Sequence, residues 1–268
     1  MSTVLTEPGH TDNPAGEAIL QARGVVKTFG AATVVHGVDL EVARGEFVSV
    51  MGPSGSGKST LLYSISGMDA PSSGSVTLAG TELTGLKPRR LAELRLTEMG
   101  FVFQHVHLLR NLSLLDNVVL PARLAKTGNR EEITRRGLEL MERTGVAALA
   151  DHDITQASGG QLQRIGICRA LINRPSIIFA DEPTGALDSA AATDIMQILG
   201  DLHAEGTTIV VVTHDPAVAA RSQRLVYMRD GLIRAELGLG RFEPGADAEE
   251  ELYARRVQVQ NWLQSQHL

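Results

Sequence analysis

Three continuous apolar runs stand out along the chain: FVSVM at 47–51, SIIFA at 176–180 and TTIVVV at 207–212. Such runs are typical of strands buried on both faces of a parallel sheet, which carries its functional residues at the carboxyl ends of the strands. A different pattern, in which apolar and polar residues alternate, occurs in HGVDLEVARGEFVSV. It predicts strands with one buried face between 19 and 49, and GSVTLAGTEL predicts a further β stretch after the turn at 71–74.

Helical periodicity occupies most of the remaining chain. Leucines recur against polar faces within 87–150, and the amphipathic run LQRIGICRALIN ends just before Pro175. The helical pattern in SAAATDIMQILGDLHAEG has the length of a crossover between two parallel strands. The order along the chain is therefore β-rich, α/β, helical and again α/β, which predicts an α/β fold with a helical insertion.

Composition narrows the class of protein. The chain has 268 residues, 43% of them hydrophobic, which suits one globular domain. A net charge of −6 without a dense Lys/Arg block argues against nucleic acid as a partner. No apolar run approaches the roughly 20 residues that span a bilayer, and 1–18 reads as a disordered leader rather than a secretory signal. We therefore expect a cytoplasmic location, or one on the cytoplasmic face of a membrane.

The stretch GPSGSGKST matches the phosphate-loop pattern, because it follows an apolar strand and precedes a helical run. Its glycines let backbone N–H groups surround phosphate oxygens, and the helix N-terminus favours an anion. The lysine would contact the β- and γ-phosphates, and the serine after it would bind Mg²⁺. The expected nucleotide-binding residues are Gly52, Pro53, Ser54, Gly55, Ser56, Gly57, Lys58, Ser59 and Thr60.

Two further strand ends carry polar residues suited to hydrolysis. Asp181 and Glu182 end the run SIIFADE, where the first carboxylate would hold magnesium and the second would activate the attacking water. His214 ends TTIVVVTH and would reach the γ-phosphate from the same edge of the sheet.

Together these motifs resemble the ABC ATPase family, over roughly 19–235. The phosphate loop is followed in the family's order by a Q-loop glutamine, Gln104, the signature ASGGQ at 157–161, the IIFADE strand, the GALD segment with Asp188, and the switch histidine. The resemblance implies a P-loop NTPase (RecA-like) core with an antiparallel β-subdomain and an inserted α-helical subdomain. It also implies that Phe29 stacks on adenine.

In that family two ATPase domains pack head to tail, and each ATP lies between the phosphate loop of one domain and the signature of the other. The glycines of the signature open a helix, whose positive end would face the γ-phosphate. The resemblance thus implies ATP and Mg²⁺ as cofactors, a second copy of the chain as partner, and catalytic roles for Glu182, His214 and Gln104. Magnesium would be held by Ser59, Gln104 and Asp181. The residues that a second copy would contribute are Ser158, Gly159, Gly160, Gln161 and Asp188.

The sequence MGFVFQHVHLLRNLSLLDNVVLP is more specific, because it resembles the MacB, LolD and FtsE group. Members of this group work with FtsX-like or MacB-like permeases, which some use to export or extract lipoproteins, peptides or drugs. Others only transmit force to a cell-wall enzyme outside the membrane, and this chain alone leaves both alternatives open. A soluble ATPase acting on DNA or ribosomes is disfavoured, because the chain lacks coiled-coil arms, a tandem cassette and a basic stretch. We expect the subunit to be peripheral on the inner face of the membrane.

Two features depart from the family pattern. We expect an ABC ATPase domain at 19–238, with its helical subdomain at about 87–172, followed by an extension at 239–268. In that extension Asp247 and Glu250 form a capping-box-like pattern, which predicts the start of a helix. Leu252, Val259 and Leu263 fall on one face of this helix. That face packs either on the helix's own domain or against a partner or a membrane. Ala157 replaces the usual leucine of the signature, which affects packing of the helical lobe rather than contact with ATP.

Overall fold

A computed structural model describes residues 17–242 and 247–266. One layer consists of the strands β1 (Ala18–Phe29), β2 (Ala32–Ala43), β4 (Ser73–Leu78) and β5 (Thr81–Glu82), which lie in the segments where the sequence predicts β structure. They form an antiparallel sheet in the order β2-β1-β4-β5, as the resemblance to the ABC ATPases implies. Of the leader expected at 1–18, residues 1–16 lie outside the described part. Glu17 and Ala18 already join the sheet, since the carbonyl of Glu17 accepts the N–H of Arg44 at 2.9 Å.

The strands of the second layer are β3 (Phe47–Met51), β6 (Met99–Phe103), β7 (Ile177–Asp181), β8 (Thr208–Val212), β9 (Arg224–Arg229) and β10 (Leu232–Gly238). They form a six-stranded sheet in the order β10-β9-β3-β8-β7-β6, which is parallel except for the edge strand β10. The three apolar runs form the adjacent strands β3, β8 and β7, which confirms the prediction of a buried parallel core.

Eight helices occur in the described ranges, together with 3₁₀ turns at Ala147–Leu149 and Ile154–Gln156. Most begin at a side chain that accepts a backbone N–H, such as Ser113, Asn129, Ser158 and Asp188. The helices are α1 (Lys58–Ile65), α2 (Pro88–Glu98), α3 (Leu114–Ala125), α4 (Arg130–Arg143), α5 (Gly159–Leu171), α6 (Ser189–Ala204), α7 (Pro216–Ala219) and α8 (Ala248–Ser265).

Both faces of the parallel sheet are buried, because successive residues of a strand point to opposite sides. On β8, Val210 and Val212 belong to the core that joins this sheet to α1 and the antiparallel sheet. Ile209 and Val211 belong to the core on the other face, under α5 and α6. The carboxyl ends of the strands are thereby fixed between two packed layers.

The segment 87–150 is less helical than the sequence predicts. Residues 99–103 form β6, which pairs in parallel with β7 and completes the edge of the sheet. Its alternating burial, rather than a helical period, places Val102 in the core beside α5. The helical lobe proper is built from α3, α4 and α5, whose buried residues form a separate core that includes Leu114, Val118 and Ile165.

Helix α8 packs on its own domain, which is the first of the two alternatives for the extension. Val259 is fully buried against Leu225, and the ring of Trp262 makes an edge contact with Tyr227 at 6.1 Å between centroids. Two details differ from the prediction. Asp247 makes no side-chain capping hydrogen bond, and the centre of the buried face is occupied by a charged residue, Arg255.

Candidate nucleotide-binding site

The phosphate loop connects the buried strand β3 to α1 at the centre of the parallel sheet. Gly52 has a φ of 152°, and a Cβ there would lie 1.9 Å from the carbonyl oxygen of Met228 on β9, so no other residue fits. Gly57 has a φ of 94°, and a Cβ there would lie 2.8 Å from the carbonyl oxygen of Val34 on β2. The glycines of the motif are therefore required by close packing of the loop against two strands as well as by backbone conformation.

Lys58 folds back over the loop that it follows. Its Nζ donates to the carbonyl oxygens of Gly52, at 3.0 Å, and Pro53, at 2.8 Å. Burial lowers the pKa of Lys58, while the carboxylates of Glu182 and Asp181 oppose that shift. An ammonium group held over a loop of backbone N–H groups is suited to binding a polyphosphate.

Asp181 ends β7 opposite α1, and two hydroxyl groups of that helix donate to its carboxylate. Ser59 Oγ lies 2.8 Å from Asp181 Oδ1, and Tyr63 Oη lies 2.6 Å from Oδ2. Burial raises the pKa of Tyr63, and the hydrogen bond to Asp181 adds to the shift. The oxygens of Ser59 and Asp181 lie side by side near the loop, and such a pair fits Mg²⁺, which takes one or two protein ligands plus phosphate oxygens and water.

Glu182 and His214 lie at the ends of the adjacent strands β7 and β8. His214 Nδ1 is 2.9 Å from Glu182 Oε1, and the N–H of Glu182 donates to the carbonyl of Val212 at 2.9 Å. Glu182 has a φ of 47°, a left-handed conformation that is unfavourable for a residue with a Cβ. Strand β7 ends at Asp181, immediately before this residue.

Gln104 follows β6, whose last residue pairs with Asp181. Its side chain lies against Gly185, where an added Cβ would be 2.9 Å from Gln104 Nε2. Among the described residues it makes no hydrogen bond to Ser59 or Asp181. The expected magnesium ligands Ser59 and Asp181 are thus in contact, whereas Gln104 stands at the same edge without reaching them.

Two residues of α5 fasten the loop around Gln104, and the sequence prediction missed both. The buried Gln163 donates from Nε2 to the carbonyl of Phe103 at 2.9 Å. Arg169 donates to the carbonyls of Val106, at 2.6 Å, and His107, at 3.0 Å. Because α5 begins at the signature, these bonds connect the signature helix directly to the Q-loop.

Phe29 lies at the end of β1 with 51% of its surface exposed. Lys27 Nζ is 5.0 Å from the centroid of its ring and also donates to Asp69 Oδ1 at 2.5 Å. An exposed aromatic ring held by a neighbouring cation is suited to stacking on a nucleobase.

The signature starts helix α5. Ser158 and Gln161 form a capping box, in which Ser158 Oγ accepts the N–H of Gln161 at 3.3 Å and Gln161 Oε1 accepts the N–H of Ser158 at 2.8 Å. In the described part of the chain, the N–H groups of Gly159 and Gly160 have no acceptor, as expected for the first turn of a helix. The exposed N-terminus of α5 is therefore available to an anion from outside.

The remaining residues of the family motifs lie away from the phosphate loop. Asp188 accepts the N–H of Ala191 at 2.9 Å and so caps α6. Ala157 packs against the core of the helical lobe, as its position in the motif predicts. No hydrogen bond or ion pair within 17–242 and 247–266 joins the signature residues 157–161 to the phosphate loop.

Tyr63 is the other residue of this site that the prediction missed. Its position was available as a signal, because Ser59 and Tyr63 are four residues apart on one helix and share a face.

Within the described ranges no group of three His, Cys, Asp or Glu side chains converges as a metal site. None of the helices described is long and apolar enough to cross a membrane.

A parallel sheet with a phosphate loop after one strand and an Asp-Glu pair after another defines a P-loop nucleoside triphosphatase. Within that class, the model of the family described as "ABC transporter" matches residues 35–185. The chain belongs to the ABC transporter family and is an ABC-type ATPase that binds ATP.

Similar proteins come from several bacteria. Macrolide export ATP-binding/permease protein MacB 1 of Aeromonas hydrophila is 45% identical over 224 residues, which cover 82% of this chain and 34% of that protein. The chain thus spans about a third of the length of such MacB relatives. Bacitracin export ATP-binding protein BceA of Halalkalibacterium halodurans is 42% identical, with coverage of 83% and 90%.

Solved structures give the same assignment. A dimeric structure of a post-hydrolysis state of the ATP-binding cassette MJ0796, bound to ADP and Pi, has a TM-score of 0.77 and 41% identity, and covers 82% of this chain and 98% of that one. Sequence and fold therefore agree on an ABC cassette of the MacB group.

Proposed function

We propose that two copies of this chain pack head to tail and hydrolyse ATP in two composite sites. Each site combines the phosphate loop of one copy with the signature of the other. The observation that carries the proposal is the exposed first turn of α5, whose Gly159 and Gly160 N–H groups have no acceptor within the described chain. The dimeric cassette among the similar structures supports the formation of a dimer.

In this proposal the loop at 52–60 binds the phosphates, with Lys58 at the β- and γ-phosphates and Phe29 under the adenine. Mg²⁺, held by Ser59 and Asp181 with Gln104 nearby, would neutralise charge that develops on the phosphates. Glu182 accepts a proton from the attacking water, and His214 orients Glu182 and contacts the γ-phosphate. Closure of the dimer is stabilised by ATP and lost after hydrolysis, because ATP binds the closed state better. The second copy supplies Ser158, Gly159, Gly160, Gln161 and Asp188.

A complementation experiment tests the composite site. Lys58→Ala removes the phosphate-loop cation, and Gly159→Glu places bulk and negative charge on the signature. The structure favours Gly159 for this purpose, since a Cβ there meets only Leu187 at 3.7 Å, whereas one at Gly160 would lie 2.9 Å from Ala191 Cβ. Each variant alone should be inactive, because every site in its homodimer has one damaged half.

Mixing the two variants should restore part of the hydrolysis, since each mixed dimer contains one site with both halves intact. A mixture as inactive as its components, despite mixed dimers in crosslinking, would show that the site does not combine two chains. The matched control is a mixture of two Lys58→Ala samples that carry different tags.

We further propose that the dimer drives an FtsX-like or MacB-like permease at the inner face of the membrane and exports a drug or peptide. The proposal draws on relatives whose names state macrolide, syringafactin or bacitracin export. These names favour export over force transmission to a cell-wall enzyme. Deletion of the gene should increase sensitivity to macrolides or bacitracin. Unchanged sensitivity combined with a defect in cell-wall hydrolysis would favour force transmission instead.

A further inference from the structure

We propose that Tyr63 is a positioning residue for magnesium, which fixes the carboxylate of Asp181 so that one oxygen stays directed at the metal site. This inference rests on the proposed assignment of Ser59 and Asp181 as magnesium ligands. Tyr63 itself would touch neither the metal nor ATP.

The two oxygens of the Asp181 carboxylate accept hydrogen bonds from two different hydroxyl groups. Ser59 Oγ is 2.8 Å from Oδ1, and Tyr63 Oη is 2.6 Å from Oδ2. Because each hydroxyl donates to a different oxygen, the hydrogen bond from Tyr63 leaves Oδ1, the oxygen beside Ser59, accessible to the metal. A hydrogen bond to the remote oxygen restricts rotation of the carboxylate, which is how partners of metal ligands commonly orient them.

The ring of Tyr63 is itself held in place. It packs against the core between α1 and the antiparallel sheet, and its backbone carbonyl accepts the N–H groups of Met68, at 3.0 Å, and Asp69, at 3.1 Å. Ser59 and Tyr63 lie one helical turn apart on α1, so both reach Asp181 from one helix face. The packing of the ring against the core therefore holds the Tyr63 hydroxyl in position beside Asp181.

The variant Tyr63→Phe removes only the hydroxyl and keeps the packed ring. Mn²⁺ replaces Mg²⁺ as a spectroscopic probe, and its binding to the protein is followed by electron paramagnetic resonance in the presence of a non-hydrolysable imido analogue of ATP. We expect Mn²⁺ to bind about 10-fold more weakly, as is typical when a partner of a metal ligand is removed. Affinity for the analogue in EDTA should be unchanged, since the phosphate loop and Phe29 remain intact.

In steady-state assays the variant should need more Mg²⁺ for half-maximal hydrolysis but approach the wild-type kcat when Mg²⁺ is saturating. Tyr253→Phe is the matched control, because Tyr253 lies on α8 with 70% of its surface exposed. That variant should match the wild type in every measurement.

Two results would overturn the inference: Mn²⁺ affinity equal to that of the wild type, or an equal loss of analogue affinity with and without metal. If Tyr63→Phe changed only Tm and left the Mn²⁺ affinity unchanged, Tyr63 would have a structural role only and the inference would be overturned. Ser59→Ala separates this inference from the proposed function. If Ser59→Ala leaves Mn²⁺ binding intact, the assignment of the metal site is wrong. If Ser59→Ala weakens Mn²⁺ binding but Tyr63→Phe does not, the metal site is assigned correctly and the role of Tyr63 is wrong.

Discussion

His214 Nδ1 and Glu182 Oε1 lie 2.9 Å apart, which joins the ends of the neighbouring strands β8 and β7. The two side chains differ in surroundings, because 72% of the histidine and 19% of the glutamate is exposed. The imidazole therefore covers a largely enclosed carboxylate from the solvent side. The contact holds the glutamate beside Asp181, and within the described ranges its second oxygen makes no hydrogen bond.

The first prediction concerns that carboxylate. Glu182→Gln keeps the shape of the side chain but removes its capacity to accept a proton, so steady-state hydrolysis should fall by about 100-fold or more. ATP should still bind and should trap the dimer, which size-exclusion chromatography with ATP would detect. Glu142→Gln, an exposed substitution on α4, is the control. Unchanged phosphate release by Glu182→Gln would remove Glu182 from the role of base.

A second prediction concerns the cation of the phosphate loop. Lys58 is held by two loop carbonyls, and burial lowers its pKa while Asp181 and Glu182 favour the charged form. Lys58→Ala should abolish measurable ATP binding, because the phosphates lose their only close ammonium in the described site. Calorimetric titration with ATP measures the loss, with the exposed Lys126→Ala as control. Normal affinity in Lys58→Ala would contradict the assignment of the phosphate loop.

Much of this architecture could be predicted from the sequence, because its signals are local. The buried strands β3, β7 and β8 are apolar runs, and the loop after β3 has a fixed spacing of glycines. Each signal needs only a few adjacent residues. Strand β6 was missed because its five residues follow α2 directly, with no loop between them, and stand between helical patterns.

Contacts between distant segments could not be predicted in the same way. The hydroxyl of Tyr63 meets a carboxylate 118 residues later in the chain, and Gln163 bonds a carbonyl 60 residues earlier. Helical spacing shows that Tyr63 shares a face with Ser59, but no local pattern shows which distant group the tyrosine or the glutamine contacts. Only the order of strands in the folded sheet brings these groups together.

The third prediction concerns Ala157, where the family usually has leucine. The alanine side chain packs against the core of α3, α4 and α5 and is only half-buried. Ala157→Leu should therefore add apolar burial and stabilise the protein by about 1 kcal/mol, with little change in ATP hydrolysis. Urea unfolding and phosphate release measure the two effects. Lower stability in the variant would mean that the lobe has no room for the added methyl groups.

The fourth prediction concerns Arg255, which holds α8 on the domain. The residue is 7% exposed, and its guanidinium donates to four backbone carbonyls at 2.7–3.2 Å, besides Glu251 at 3.3 Å. The carbonyls belong to Ala220, Ser222, Leu239 and Gly240. These groups lie in the chain before and after β9 and β10, so a single side chain ties the extension to the edge of the parallel sheet.

Arg255→Leu should leave those carbonyls without a donor and destabilise the protein by about 3 kcal/mol. The neighbouring Arg256 is exposed, so Arg256→Leu should change stability by less than about 0.5 kcal/mol. Urea unfolding of the two variants gives the comparison, and limited proteolysis should cut Arg255→Leu first within α8. Equal stability of the two variants would show that apolar contacts of Val259 and Trp262, rather than the buried guanidinium, hold the helix in place.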